Sequence, residues 1–150
     1  MCSYCGCEAE KVMKALTDEH LEIAELARKV IGELGCEDLA STATLITQLA
    51  TLFDRHGNFE ETGLFSQLVQ AGEAVEEVER LLKDHLKFRT GFFDPNIASQ
   101  PDRLRSLIQE LLDHAELEET DLFPYAWQVL SGLSWDFLEG DVDRGTIREL

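Results

Sequence analysis

One stretch of this chain is written twice. His56-Gly-Asn-Phe-Glu60-Glu61-Thr-Gly-Leu-Phe65 and His114-Ala-Glu-Leu-Glu118-Glu119-Thr-Asp-Leu-Phe123 both read H-x-x-x-E-E-T-x-L-F, 58 residues apart. A lone histidine precedes each copy, His20 in Asp-Glu-His-Leu-Glu and His85 in Lys-Asp-His-Leu-Lys, so all four histidines belong to two related units. A separation of four places His56 over Glu60, and His114 over Glu118, one turn apart on a single helix face. Imidazoles and carboxylates are expensive to bury without partners, so a fold that buries this face must also supply compensating groups.

Periodicity says that the face is buried. Leu16, His20, Ile23, Ala27, Val30 and Leu34 follow one another in steps of three and four, which is one stripe of a helix. A second stripe carries Leu45, Leu49, Leu52/Phe53, His56, Glu60 and Gly63/Leu64. A third has Val75, Val78, Leu81/Leu82, His85 and Phe88, and a fourth has Leu104, Ile108, Leu111, His114, Glu118 and Leu122. The punctuation falls at Gly35, at Ala71-Gly72, and across Gly91 to Pro101, where two prolines bracket a loop. Thr17 reads as an N-cap with Asp18 and Glu19 in the first turn, and Pro101 as a first helical residue. These signals predict an all-α chain: an antiparallel up-down-up-down four-helix bundle over residues 17–130. A Cys-rich arm over 1–16 precedes it, and a tail over 131–150 packs Trp135 and Phe137 against it. Antiparallel packing of the first two helices would set His20 and His56 at one level, each about 15 residues from the turn between them.

At 150 residues the chain can bury roughly two thirds of its unfolded surface as one domain, with no need of staples. Its 30 acidic against 13 basic residues leave a net charge of −17, which argues against nucleic acid or an anionic membrane as partner. No run reaches the ~18 apolar residues of a membrane span, and the first residues lack a secretory pattern, so the expected location is cytoplasmic. Three of the four cysteines, Cys2, Cys5 and Cys7, crowd into the first seven residues, with Cys36 apart. They read as bystanders, as redox thiols, or as ligands for zinc or a cluster that would need a fourth donor.

Four histidines and two glutamates on core stripes require positive charge, and none of the lysines or arginines falls on the stripes beside them. A metal pair meets that need. Imidazole with carboxylate suits iron, manganese or zinc, and two glutamates able to bridge suit a dinuclear centre. The Glu-x-x-His of ferritin-like di-metal bundles is absent, since Thr17, Phe53, Leu82 and Leu111 stand three residues before the histidines.

His20, His56-x-x-x-Glu60-Glu61-x-x-Leu-Phe, Asp84-His85 and His114-x-x-x-Glu118-Glu119-x-x-Leu-Phe-Pro, in that order, resemble the hemerythrin-like (HHE cation-binding) family over about residues 17–128. The resemblance implies a four-helix bundle holding two non-haem iron ions. His20, His56, His85 and His114 would be terminal ligands, with Glu60 and Glu118 as bridges. It implies binding of O2, peroxide or nitric oxide in a pocket lined by Ile23, Leu52, Phe59 and Phe123, with turnover of peroxide or nitric oxide, or a non-catalytic sensing role, as alternatives. Oxygen-carrying members use a fifth histidine one turn from the other on helix 3, whereas Leu81 and Arg89 flank His85 at that spacing. Glu61, Glu119 or Tyr125 would then either supply a further oxygen donor or stand behind the ligands. The N-terminal thiols would lie toward the His20 end, where a redox partner of unknown identity could deliver electrons.

Overall fold

The computed structural model describes residues 6–35 and 38–143, and among them it contains helices and no strands. Helix α1 spans Cys7–Glu33. Helix α2 (Leu39–Phe59) runs without a break through a π-helical segment, π1 (Glu60–Phe65), into α3 (Ser66–Gln70). Helix α4 spans Val75–Phe92, and α5 (Pro101–Leu117) continues through a second π segment, π2 (Glu118–Leu122), into α6 (Phe123–Val129). A last helix, α7, spans Gly132–Asp143. No helix among the described residues is long and apolar enough to cross a membrane.

Local chemistry explains most of the ends. Gly6 opens α1 in the left-handed region, and Glu8 and Glu10 oppose the helix dipole in the first turn. The Asp38 side chain accepts a hydrogen bond from the Ser41 N–H at 3.1 Å and caps α2 at its start. Pro101 begins α5 as the sequence predicts. The expected boundary at Thr17 is not a boundary, since α1 begins ten residues earlier, at Cys7. Ala9, Val12, Met13 and Leu16 are buried and extend the same stripe toward the N-terminus, so the first turns of the helix pack rather than hang as an arm.

The C-terminal segment is likewise more than a tail. Helix α7 packs on α1 and on π1, burying Trp135, Leu138 and Val142, while Phe137, expected to pack, is 48% exposed. Residues 135, 138 and 142 share a face at steps of three and four, and 137 lies off it. Gly63 makes this docking possible, because a Cβ there would come within 2.9 Å of Leu138 Cδ2. The second copy of the repeat has Asp121 at the matching position, exposed to solvent.

Around the centre α1 touches α2, α2 touches α4, α4 touches α5, and α5 returns to α1. The apolar interior is in two parts. One gathers Leu16, Phe59, Leu64, Phe65, Leu81, Leu122 and Phe123 with the face of α7; the other gathers Ile23, Leu49, Phe53, Phe88, Leu104 and Leu111. His20, His56, Glu60, His85, His114 and Glu118 are all buried, and along every helix they fall between the two parts. They form a polar layer capped by hydrocarbon at both ends.

Candidate metal centre

Two groups of four side chains bring donor atoms within 4.8 Å of one another: His20, His56, Glu60 and Glu118 in one, His85, His114, Glu60 and Glu118 in the other. Both glutamates belong to both groups, and their oxygens divide between them. Glu60 directs Oε2 at His56 Nε2 and Oε1 at His85 Nε2, each at 3.3 Å. Glu118 directs Oε1 at His20 Nε2, 3.2 Å away, and Oε2 at His114 Nε2, 3.3 Å away. Each motif contributes its first Glu, as the sequence predicts, and each carboxylate faces both groups.

The outer nitrogens of the rings are also accounted for. His20 Nδ1 lies 2.7 Å from Glu119 and His85 Nδ1 2.7 Å from Glu61. His56 Nδ1 lies 2.8 Å from Glu19 and His114 Nδ1 3.0 Å from Asp84. An N–H donated to a carboxylate fixes the proton on Nδ1 and leaves the Nε2 lone pair facing inward. Glu61 and Glu119, the second Glu of each motif, thus stand behind a histidine, and each serves the lone histidine of the other unit. Glu19 and Asp84 stand immediately before the lone histidines in sequence and serve the motif histidine of their own unit. The sequence reading assigned these two no role, although an acid directly before each lone histidine was visible.

Aromatic rings follow the same crosswise rule. Phe65 of the first motif lies 5.4 Å from His85, and Phe123 of the second stacks on His20 at 5.7 Å. Phe53 and Phe88 close on His85 and His114 edge-on. The π segments make this arrangement possible. In an α-helix, residues five apart point about 140° from one another, but a π turn closes from i to i+5. Glu60 and Phe65, and Glu118 and Phe123, can therefore both serve the centre. The same change of phase disposes of Tyr125: seven residues from Glu118 would return it to the centre in a regular α-helix, but here it is 40% exposed and gives its hydroxyl to Glu73.

Whether a cation fits is decided by the unpaired atoms. Both oxygens of Glu60, both of Glu118, and Nε2 of His56 are buried and take part in no hydrogen bond. The nearest donor atoms stand 3.1–3.3 Å apart, His85 Nε2 and His114 Nε2 within hydrogen-bond distance, a spacing that edges of a coordination shell also show when ligands lie about 2.1 Å from one ion. Electrostatics agree. Burial opposes a charge on His56, yet Glu60 and Glu19 lift its pKa to about 10; burial likewise opposes His114, yet Glu118, Glu60 and Asp84 lift it to about 9. Against its own burial, Glu60 is held well below the ordinary carboxylate range by His56 and His85. The pocket demands positive charge, and buried His/Glu clusters of this kind fit metal binding.

Of the sequence-predicted lining, Ile23, Leu52, Phe59 and Phe123 are all buried. Cys7 is disulfide-bonded, and Cys2 and Cys5 lie outside the described residues. A cavity of about 800 Å³ on one flank is lined by Ala74, Glu77, Arg80, Leu81, Lys83, Asp84, Leu117, Asp121, Leu122 and Tyr125. Away from the centre, Glu8, Asp136 and Glu139 bring carboxylate oxygens together where α1 meets α7.

No curated protein and no solved structure matches the chain. The family model for the hemerythrin HHE cation binding domain matches residues 11–126, which span the polar layer, both motifs and both π segments, and the chain belongs to that family.

Proposed function

We propose that this protein is a non-haem di-iron protein that binds O2 or a related small reactive species, peroxide or nitric oxide. One observation carries the reading: two buried donor groups share Glu60 and Glu118, and all four of their carboxylate oxygens lack a hydrogen-bond donor. Two cations, rather than one, answer that pattern. His20 and His56 would hold one iron and His85 and His114 the other, on an antiparallel four-helix bundle, in the cytoplasm.

Bound iron would supply electrons and open coordination positions for the small ligand. The chain's own part is to orient and to exclude. The four Nδ1–H groups, pinned by Glu119, Glu19, Glu61 and Asp84, keep the imidazoles facing inward. Phe53, Phe65, Phe88 and Phe123 cover the rings and keep water from the bridging carboxylates. The open positions follow from donor count: Leu81 and Arg89 stand one turn either side of His85, where oxygen-carrying members have a fifth histidine, and Arg89 pairs with Glu61. That shortage of nitrogen favours a second reading, turnover of peroxide or nitric oxide at the same site, with electrons from a separate redox partner.

Metal analysis of freshly purified protein tests the reading. The expected result is two irons per chain, falling below about one in His56→Ala and in Glu118→Ala, in line with the loss of ligands from a shared site. Fewer than one metal per chain in the unaltered protein, with variants that fold and bind alike, would overturn it. Exposure of the reduced iron form to O2 and to nitric oxide then separates a stable coloured adduct from repeated turnover.

A further inference from the structure

The two motifs are written alike, but the centre they build is not equally enclosed on all sides. His56 and His85, the histidines that flank Glu60, are locked from behind. Behind His56 stands Glu19, whose side chain is 4% exposed. Behind His85 stands Glu61, and Arg89 grips Glu61 at 2.6 Å while also donating to Asp54 at 2.7 Å and Asn58 at 3.2 Å. Gly57 leaves room for this clamp: a Cβ there would lie 3.0 Å from Arg89 Nη2 and 3.4 Å from His85 Nδ1. The second motif has Ala115 in place of Gly57, and Ala24 follows His20 at the spacing at which Arg89 follows His85.

His20 and His114, the histidines that flank Glu118, are backed by carboxylates that reach water. The Glu119 side chain is 37% exposed and the Asp84 side chain 46%, and among the described residues no lysine or arginine pairs with either. Arg89 is itself balanced by Asp54, so the clamped side and the open side do not differ in net charge. They differ in how firmly the ligands are held. The large cavity lies between α4 and the π2–α6 stretch: Leu117, Asp121 and Leu122 line it from one side and Leu81, Lys83 and Asp84 from the other, and Asp84 is the hydrogen-bond partner of His114. Leu81 and Leu122 in that lining belong to the hydrocarbon block beside the polar layer.

We propose that the centre opens beside Glu118: a small reactive ligand reaches the metals through the cavity beside Asp84, while the Glu60 side, where Arg89 holds Glu61 behind His85, stays fixed. This inference rests on the iron reading above. The cavity wall thus includes Asp84, the solvent-reaching carboxylate behind His114. On the α1–α2 side, across the bundle from α4 and α5, lies a surface groove of about 500 Å³ lined by residues such as Leu26, Thr47 and Thr51.

The probe is sodium azide, with the iron-loaded protein followed by stopped-flow absorbance. Leu117→Trp narrows the mouth of the cavity at a position already half in solvent. It should slow azide association about tenfold or more while changing the equilibrium Kd less than about twofold, as an obstruction to approach does. Leu26→Trp, in the opposite groove, should leave both unchanged. Iron content is measured on every sample: two irons in all of them with an unchanged association rate in Leu117→Trp, or slowing in Leu26→Trp instead, overturns the proposed route and leaves the iron reading standing. Absence of iron from the unaltered protein overturns both.

Discussion

Four imidazoles each placed between two carboxylates create a competition between protons and metals that is visible in the pH dependence of stability. In the metal-free protein His56 and His114 have folded-state pKa values raised to about 10 and about 9. A raised value means that the protonated ring stabilises the fold, fully below the ordinary histidine pKa near 6.5, and that this contribution is lost as pH rises through 9 to 10. Metal binding runs the other way, because an Nε2 lone pair that takes a proton cannot take a cation, so affinity falls as pH falls. Thermal melts of chelator-treated and iron-loaded protein between pH 5 and 10 should therefore diverge, with the Tm gap widening toward high pH. A gap that stays constant would show that these histidines neither take protons nor hold metal as described.

Residue spacing made part of this legible from the start. His56, Glu60, His114 and Glu118 could be assigned because four residues is the helical repeat and because the pattern occurs twice. Glu19 and Asp84 escaped because a neighbour in sequence points some 100° away on its own helix, and its target on another helix is not written locally. Tyr125 was placed on the wrong side for a different reason: the count that put it there assumed an unbroken α-helix.

That interruption belongs to the scale of elements. Both π segments begin at the glutamate of a motif that both donor groups share, Glu60 and Glu118, and neither has a signature in hydrophobic periodicity. A π turn is a local exception with poorer backbone geometry, retained where side-chain placement repays it, and composition alone gives no sign of that exchange. The fifth helical segment, α7, was legible in principle, since Trp135, Leu138 and Val142 keep helical spacing, but Gly132, Ser134 and Gly140 dilute the pattern. The matching surface, Gly63 on π1, is distant in sequence. Leu138 is fully buried there, so Leu138→Ala should cost about 2–5 kcal/mol, the range for removing a buried leucine from a core. Chemical denaturation measures the loss, and iron content should match that of the unaltered protein because α7 supplies no donor to either His/Glu group. A change near zero would mark α7 as the appendage that the sequence reading made of it.

At the scale of the whole molecule the arrangement is a polar layer held between two hydrocarbon blocks. The blocks do not need the metal to remain dry, whereas the layer is left with unpaired carboxylates without it. Chelation should therefore loosen the middle and spare the ends. Hydrogen exchange of the iron-free protein is expected to rise first in Glu118–Leu122, which has no clamp behind it, then in Glu60–Phe65, with the amides around Leu49 and Leu64 remaining protected. Uniform loss of protection along all helices would instead describe a chain that folds only around its ions.

The crosswise wiring of the two motifs has a consequence for how the protein is born. Glu61 and Phe65 serve His85, and Glu119 and Phe123 serve His20, so each hairpin finishes the other's histidine rather than its own. A nascent chain that has emerged through residue 100 can present His20, His56, Glu60 and His85, but it lacks Glu118, which both donor groups require. Metals that meet the chain before Glu118 is made thus find a half-written address, because neither donor group is complete without it.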